Sequence, residues 1–186
     1  MADLTALQVA VLVTDGFEEA ELTEPVHALR EAGATVKIIS TKLGSLQAFR
    51  HHDKSIKVDV DEQIDAVDPK DYDAVLLPGG ALNADALRVE PKVQSFLRQM
   101  QKAGKPIAAI CHAPWVLISA NLVEGRSLTS YNTIQDDIRN AGGNWFDQEV
   151  VVDGNWVTSR QPGDIPAFNQ HMMTLFSRLA TSVGKA

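Results

Sequence analysis

The sequence predicts an α/β protein in which a doubly wound, mostly parallel β-sheet is covered by helices on both faces. Short apolar runs rich in β-branched residues recur along the chain, as in QVAVLV (8–13) and TVKIIS (35–40). Segments with apolar residues at helical spacing separate them, and this alternation predicts parallel strands joined by helices. No linker or repeat divides the 186 residues, so we predict a single domain over residues 1–186.

The predicted elements follow one another in a regular order. The strand at 8–13 leads to a helix that ends near residue 32, before Gly33, because glycine commonly terminates helices. After the strand at 35–40, residues 41–72 are polar and irregular, with possible short strands such as SIKVDVD. The later elements are a strand at 73–80 that ends in Pro-Gly-Gly, a helix at 90–104, a strand at 106–110, helices at 112–121 and 133–143, two strands around an Asp-Gly turn at 145–160, and a helix at 164–180.

Composition excludes several classes of function. The net charge is −7 and lysines and arginines are scattered along the sequence, which disfavours a nucleic-acid-binding surface. No segment has the roughly 20 apolar residues that a membrane helix needs, and the first residues lack a basic, cleavable leader. A single cysteine cannot form an internal disulfide and suits a reducing compartment. We therefore expect a cytoplasmic protein that binds neither nucleic acid nor membrane.

The cysteine lies at a position that favours reactivity. In KPIAAICHAPWVLISAN (105–121), Cys111 follows an apolar strand and precedes a helix, and the residues two positions away, Ala109 and Ala113, are small. A side chain at such a sharp strand-to-helix turn is exposed, and the helix N-terminus favours a thiolate. A lone cysteine is more commonly a small buried apolar residue. The turn and its small flanks favour a nucleophile or redox thiol instead.

The loop after the first strand supplies a candidate acid. Glu18 lies in DGFEEAEL, and in a doubly wound sheet the loops that follow neighbouring strands meet at the same edge. We expect Glu18 to be largely protonated, to hydrogen-bond the Cys111 sulfur and to relay protons, because two adjacent anions raise each other's pKa. For Glu19 and Glu21 we expect ordinary solvated carboxylates near a helix N-terminus.

Glycines and histidines complete the set of candidates. Gly79 and Gly80 follow the strand at 73–80 and form either a simple turn or, with the amide of the residue after Cys111, a binding site for an oxyanion. His112 directly follows the cysteine, and neighbours at such a turn do not usually face one another, so it is structural or points elsewhere. The other histidines are assigned to a helix (His27, His171) and to a solvated loop (His51, His52), and we predict no metal site.

Together, PGG, ICHAP and GFEEAEL resemble the DJ-1/ThiJ/PfpI superfamily, and specifically its PfpI-like branch. The resemblance continues in order from SANLVEGRSLTSYNTI to QPGDIPAF, so it covers nearly the whole chain. It implies a flavodoxin-like α/β/α sandwich with no cofactor. The common ICHGP of the family is ICHAP here, and we expect Ala113 to be small enough to preserve the turn.

The resemblance also implies roles for single residues. It matches Cys111 to the family's nucleophile, His112 to its adjacent histidine, Glu18 to its conserved glutamate and Gly80 to the glycine that supplies an oxyanion-hole amide. It places Tyr131 near the pocket. It further implies a dimer or hexamer in which an acid from a neighbouring subunit, matched to Asp85, orients the histidine. Late in the chain, His171 is followed by Met172 and Met173 instead of the His-x-Glu pair of related glutaminases, so glutaminase activity is not expected.

Three functions remain open at this stage. In the first, the Cys111 thiolate adds to an aldehyde such as methylglyoxal and Glu18 shuttles a proton, as in glyoxalase or deglycase enzymes of related families. In the second, Cys111 attacks a peptide and His112 protonates the leaving amine, as in an intracellular cysteine peptidase. In the third, the protein is a stress sensor or chaperone that responds to oxidation of Cys111 without turnover. The aldehyde reaction has the simplest requirements, a thiolate and a nearby carboxyl group, and we favour it.

Overall fold

The protein is described here from a computed structural model that covers residues 3–183, with side chains described for residues 3–178. The strands are β1 (Gln8–Leu12), β2 (Phe17–Glu18), β3 (Thr35–Ser40), β4 (Ser45–Arg50), β5 (Asp53–Asp59), β6 (Glu62–Gln63), β7 (Ala74–Leu77), β8 (Ile107–Ile110), β9 (Ser127–Leu128), β10 (Asn144–Trp145), β11 (Val150–Asp153) and β12 (Trp156–Ser159). The α-helices are α1 (Glu19–Glu31), α2 (Ala81–Arg88), α3 (Pro91–Lys102), α4 (Pro114–Ser119), α5 (Gln135–Asn140) and α6 (Ile165–Val183).

Seven strands form the central sheet in the order β11-β12-β8-β7-β1-β3-β6. All neighbouring pairs are parallel except β11 and β12, which form an antiparallel hairpin. The chain adds β3 on one side of β1 and later returns to place β7 on the other side. The direction of winding therefore reverses between β1 and β7, and a crevice forms beyond the carboxyl ends of the strands at such a point. The predicted α/β, mostly parallel fold class is confirmed.

Alternating residues of the buried strands build a core on each face of the sheet. Val9 and Val11 of β1 pack in one cluster with apolar residues of α1 and α6. Ala10 and Leu12 point the other way, into a second cluster with residues of α2, α3, α4 and α5. Strands that are apolar on both faces, as in AVLL and IAAI, are typical of a sheet covered on both sides.

Several elements differ from the sequence-based expectation. Residues 41–72, expected to be largely irregular, contain β4 and β5, which form a hairpin that pairs with the short strand β2. The segment ALNADALR forms α2, which the sequence analysis did not predict because a helix of eight residues that directly follows a Pro-Gly-Gly turn is too short for its apolar spacing to stand out. The two-residue strands β2, β6, β9 and β10 were not predicted either, whereas the longer strands and the remaining helices lie where the hydrophobic periodicity placed them. None of the helices within the described part of the chain combines the length and apolar character needed to cross a bilayer.

Candidate active site

Cys111 occupies a sharp turn at the end of β8. Its φ is 63°, a left-handed conformation that is strained for a residue with a side chain. The turn is held from both sides, because the Cys111 N–H donates to the Ser159 carbonyl (3.0 Å) and its carbonyl accepts from the Tyr131 N–H (2.9 Å). The residue is only 7% exposed, yet it lines a pocket of about 790 Å³. The cysteine is thus buried among apolar neighbours on one side and accessible from the pocket on the other.

The carboxyl group beside the sulfur belongs to Glu21, not to Glu18. Glu21 is fully buried, so the expectation that it is a solvated carboxylate is wrong. Neither of its oxygens makes a hydrogen bond of ordinary geometry within the described structure. Burial, followed by the charge of Glu18, raises its pKa to about 8, although the nearby Cys111 thiol and Gly79 amide act in the opposite direction. Glu21 is therefore protonated at neutral pH.

Local structure explains why Glu21, and not Glu18, lies beside the Cys111 sulfur. Glu18 belongs to β2, which runs beside β4, and its carboxylate accepts a hydrogen bond of 3.0 Å from the His51 N–H at the turn of the β4–β5 hairpin. Glu21 lies in the first turn of α1, four residues before the buried Pro25 and eight before the buried Leu29. That spacing places it on the apolar face of the helix. The sequence contained part of this information, since the same spacing identifies the face of α1 that packs on the sheet, but it did not show where β2 ends and the helix begins.

The environment of Cys111 acts on its thiol in two directions. Burial and then the negative charge of Glu21 raise the pKa of the thiol, whereas the backbone N–H groups of Gly80 and His112 donate toward the sulfur and lower it. The net direction is upward, so the expected stabilisation of a free thiolate by the helix terminus is not the dominant effect; α4 has only six residues. Protonation of Glu21 removes the repulsion, after which burial still opposes the thiolate and the two amides favour it. The pair therefore holds at least one proton at neutral pH.

His112 faces the sulfur, contrary to the expectation that neighbours at this turn point apart. Its Nδ1 lies 3.2 Å from the Cys111 Sγ, and its Nε2 lies 3.4 Å from the Thr133 hydroxyl oxygen. The ring stacks on Tyr131, with centroids 4.9 Å apart, and contacts the edge of Trp115. Burial lowers the pKa of His112, so the imidazole is neutral at pH 7. A neutral ring with its proton on Nε2, donated to Thr133, leaves Nδ1 free to accept the thiol proton.

Gly79 and Gly80 allow the loop after β7 to pack against the turn that carries Cys111. A Cβ atom on Gly79 would overlap the Glu21 carboxylate and approach the Cys111 Cβ to 2.6 Å. Gly80 has a φ of 91°, which favours glycine. The buried Asn83 fixes this loop, because its amide donates to the Pro78 and Gly79 carbonyls (both 3.0 Å) and its oxygen accepts from the Thr14 N–H (2.8 Å). The sequence analysis did not identify Asn83 as part of the site.

The remaining candidates are distributed around this centre. Tyr131 lines the pocket together with His51 and His52. Both histidines are exposed in the turn between β4 and β5, in agreement with their assignment to a solvated loop. Asp85 lies on the exposed face of α2, and contact with a partner's histidine stays a prediction. His27 pairs with Glu31 at the surface (3.3 Å). Over the residues that can be described, no three His, Cys, Asp or Glu side chains are grouped as metal ligands would be.

Comparisons with known proteins give one consistent result. The sequence model of the DJ-1/PfpI family matches residues 7–175. The chain is 43% identical over 169 residues to "Deglycase TK1284" of Thermococcus kodakarensis, covering 91% of this chain and 99% of that protein. It is 44% identical over 168 residues to "Putative cysteine protease YraA" of Bacillus subtilis, covering 90% and 97%. A two-domain crystal structure from Anabaena variabilis, with DJ-1/ThiJ/PfpI-like and ferritin-like domains, has a TM-score of 0.85 and 32% identity; the match covers 94% of this chain and 48% of that one.

Proposed function

Since this chain belongs to the DJ-1/PfpI family of cysteine-dependent enzymes, we propose that it is a cofactor-independent glyoxalase or deglycase that acts on reactive aldehydes. The observation that carries the proposal is the fully buried Glu21, with a pKa raised to about 8, placed against Cys111. A carboxyl group that holds its proton at neutral pH but can release it is suited to move protons on a bound substrate. The name of the relative from Thermococcus kodakarensis supports the same chemistry.

The first step is addition of the sulfur to the aldehyde carbon. His112 Nδ1, at 3.2 Å from Sγ, accepts the thiol proton, and the sulfur forms a bond to the carbon as the carbonyl oxygen gains charge. The N–H groups of Gly80 and His112, which donate toward the sulfur, stabilise the developing oxyanion. Return of the proton to that oxygen gives a hemithioacetal, so no charge accumulates in the pocket.

The second step is proton transfer between the carbons of a 2-oxoaldehyde. Glu21 gives its proton to the oxygen of the neighbouring carbonyl, and the resulting carboxylate removes the proton from the carbon that bears sulfur, which leaves an enediol. Glu21 then delivers that proton to the neighbouring carbon and recovers one from the hydroxyl group on the carbon that bears sulfur, which gives a thioester. Water then cleaves the thioester, releases a 2-hydroxy acid and restores the thiol. One aldehyde and one water give one hydroxy acid, and the atoms and electrons balance without an external oxidant or reductant.

The reaction with methylglyoxal tests this proposal. The wild-type protein is expected to produce lactate, and Cys111→Ser is expected to produce none, because a serine hydroxyl is a far weaker nucleophile without a stronger base. Glu24→Gln, which changes an exposed carboxylate on the same helix, is the matched control and is expected to behave as wild type. Absence of lactate from the wild-type protein would overturn the proposal.

A cysteine peptidase is the second candidate, and one observation favours it. The 3.2 Å contact between Cys111 Sγ and His112 Nδ1 is the pairing of nucleophile and base that peptide hydrolysis requires. Cleavage of fluorescent casein that is lost in Cys111→Ser would support this candidate. If neither lactate nor peptide cleavage is observed and peroxide adds mass at Cys111, a sensor role is supported instead.

Location and assembly are part of the same proposal. We place the protein in the cytoplasm, where a reducing environment keeps a single reactive thiol free. We also propose that the protein forms a homo-oligomer. Asp85 is exposed on α2, and the apolar Val89, which directly follows this helix, is 68% exposed. Sedimentation analysis of wild type and Val89→Asp tests the assembly, and a wild-type monomer at micromolar concentration would contradict it.

A further inference from the structure

A second pocket adjoins the candidate active site and has a different charge. Its volume is about 470 Å³, and it shares Gly16, Phe49 and Leu82 with the pocket that contains Cys111. Its lining includes three lysines and one acid: Lys42, Lys54, Lys57 and Asp15. Lysines that are scattered along the sequence thus meet at one place on a protein with a net charge of −7.

A β-bulge in the hairpin brings two of the lysines to the same face. Gln47 pairs with Lys57 and Phe49 pairs with Lys54, so β4 advances by two residues while β5 advances by three. In a regular strand, residues three apart point to opposite faces. The extra residue of the bulge removes this alternation, and Lys54 and Lys57 project from the face that carries Gln47 and Phe49.

The bulge is held by a specific set of hydrogen bonds. The Gln47 side-chain amide donates to the Ser55 carbonyl (3.1 Å) and to the Ile56 carbonyl (3.2 Å), which lie in the extra segment of β5. These contacts satisfy carbonyl groups that the irregular ladder leaves without regular strand partners. The position of both lysines is therefore built into the hairpin.

The one acid in the lining is already neutralised. Asp15 forms an ion pair with Lys42, and its other oxygen accepts from the Gln47 N–H (2.8 Å). Partial burial acts to raise the pKa of Asp15, but the hydrogen bonds from Lys42 and Gln47 and the charges of Lys42 and Lys57 outweigh it and hold the pKa low. In the part of the protein that the structure describes, no acid lies within 4 Å of the amine of Lys54 or Lys57. The positive charges of Lys54 and Lys57 are therefore available to a ligand.

We infer that this second pocket binds a phosphate group, and that the enzyme's substrates include phosphate-bearing aldehydes whose carbonyl end reaches Cys111. A phosphate monoester carries close to two negative charges at pH 7, which matches Lys54 and Lys57, and lysine binds phosphate as a point charge. Phe49 borders both pockets, so one molecule that passes this ring can occupy both. The inference that the carbonyl group of the substrate reaches Cys111 rests on the proposed function. The inference that the second pocket binds phosphate does not.

Titration with inorganic phosphate, followed by isothermal calorimetry, tests the site without any turnover. The wild-type protein is expected to bind phosphate at least about tenfold more tightly than Lys54→Gln/Lys57→Gln, since two charge-assisted contacts are lost. Lys54→Arg/Lys57→Arg keeps both charges and is expected to retain binding. The matched control is Lys92→Gln/Lys102→Gln, which removes two lysines from α3. Equal losses in the two glutamine variants, or no binding to wild type, would overturn the inference.

Competition between two aldehydes tests the connection of the pockets. Glyceraldehyde 3-phosphate is expected to inhibit lactate formation from methylglyoxal at a concentration about tenfold below that of glyceraldehyde. This ratio is expected to fall toward one in Lys54→Gln/Lys57→Gln and to persist in the control. Equal inhibition by both aldehydes in wild type would overturn the inference and leave the proposed function standing. If wild type forms no lactate, the proposed function fails, and the phosphate titration still decides whether the site exists.

Discussion

Replacement of Glu21 by glutamine has a calculable effect on stability and pH dependence. The folded protein holds the Glu21 proton up to about pH 8, whereas the same carboxyl in the unfolded chain loses its proton near 4.5. A pKa raised by folding contributes stability that is complete below the unfolded value and is lost as the pH rises toward the folded value. Glutamine resembles the neutral acid in shape and does not titrate. The free energy of unfolding of the variant therefore does not decrease in this way as the pH rises.

The magnitude follows from the distance between the two pKa values. From pH 4 to pH 7, retention of the proton in the fold costs the wild-type protein about 3 kcal/mol of unfolding free energy, at roughly 1.4 kcal/mol for each pH unit above 4.5. We therefore expect the stability of Glu21→Gln, relative to wild type, to increase by about 3 kcal/mol over that range. This change is a large part of the about 5–15 kcal/mol that stabilises a typical domain.

Urea denaturation at a series of pH values measures this difference. Glu24→Gln, on the exposed side of the same helix, should follow the wild-type curve within about 0.5 kcal/mol. Lactate formation by Glu21→Gln should fall by about a hundredfold or more, since the amide cannot transfer protons. Parallel stability curves for wild type and Glu21→Gln between pH 4 and pH 7 would refute the reasoning, because they would show that folding does not hold the proton.

Two further substitutions examine the glycine loop and the histidine. Gly79→Ala, whose Cβ would overlap the Glu21 carboxylate and lie 2.8 Å from the Ile110 carbonyl oxygen, should lose about 1–3 kcal/mol in urea denaturation; stability equal to wild type would contradict the close packing. Thr133→Val should lower kcat by up to about tenfold, because Nε2 of His112 loses its partner. Since burial lowers the pKa of His112, wild-type kcat/KM should fall only below pH 6.5 as the ring becomes protonated; an acid midpoint above 6.5 would contradict this role.

The position of Cys111 followed from local sequence. An apolar strand, small flanking residues and the start of a helix place Cys111 at a turn beyond the sheet, and the left-handed backbone at this residue agrees with that turn. A strand-to-helix turn of this kind is determined by residues that are near each other in the chain. Most strands and helices could be predicted for the same reason, since the alternation of apolar residues records which side of each element is buried.

The carboxyl group that lies beside Cys111 could not be chosen in this way. Three glutamates lie within four residues, and their order in the chain does not show which of them turns inward. The direction depends on where β2 ends and α1 begins, and β2 exists only because it pairs with β4. That pairing keeps Glu18 beside the hairpin and leaves Glu21 on the buried face of the helix.

The sequence by itself determined the α/β architecture, the cysteine turn and the family, because each depends on short-range patterns or on motifs in a fixed order. Only the tertiary structure decided that Glu21 holds the proton, that His112 contacts the sulfur and that Lys54 and Lys57 share one face. The first joins segments far apart in the chain. The second depends on the packing of the His112 ring on Tyr131 and Trp115, and the third depends on a single extra residue in a strand. Their energies arise from burial and from charges brought close together, and folding creates both.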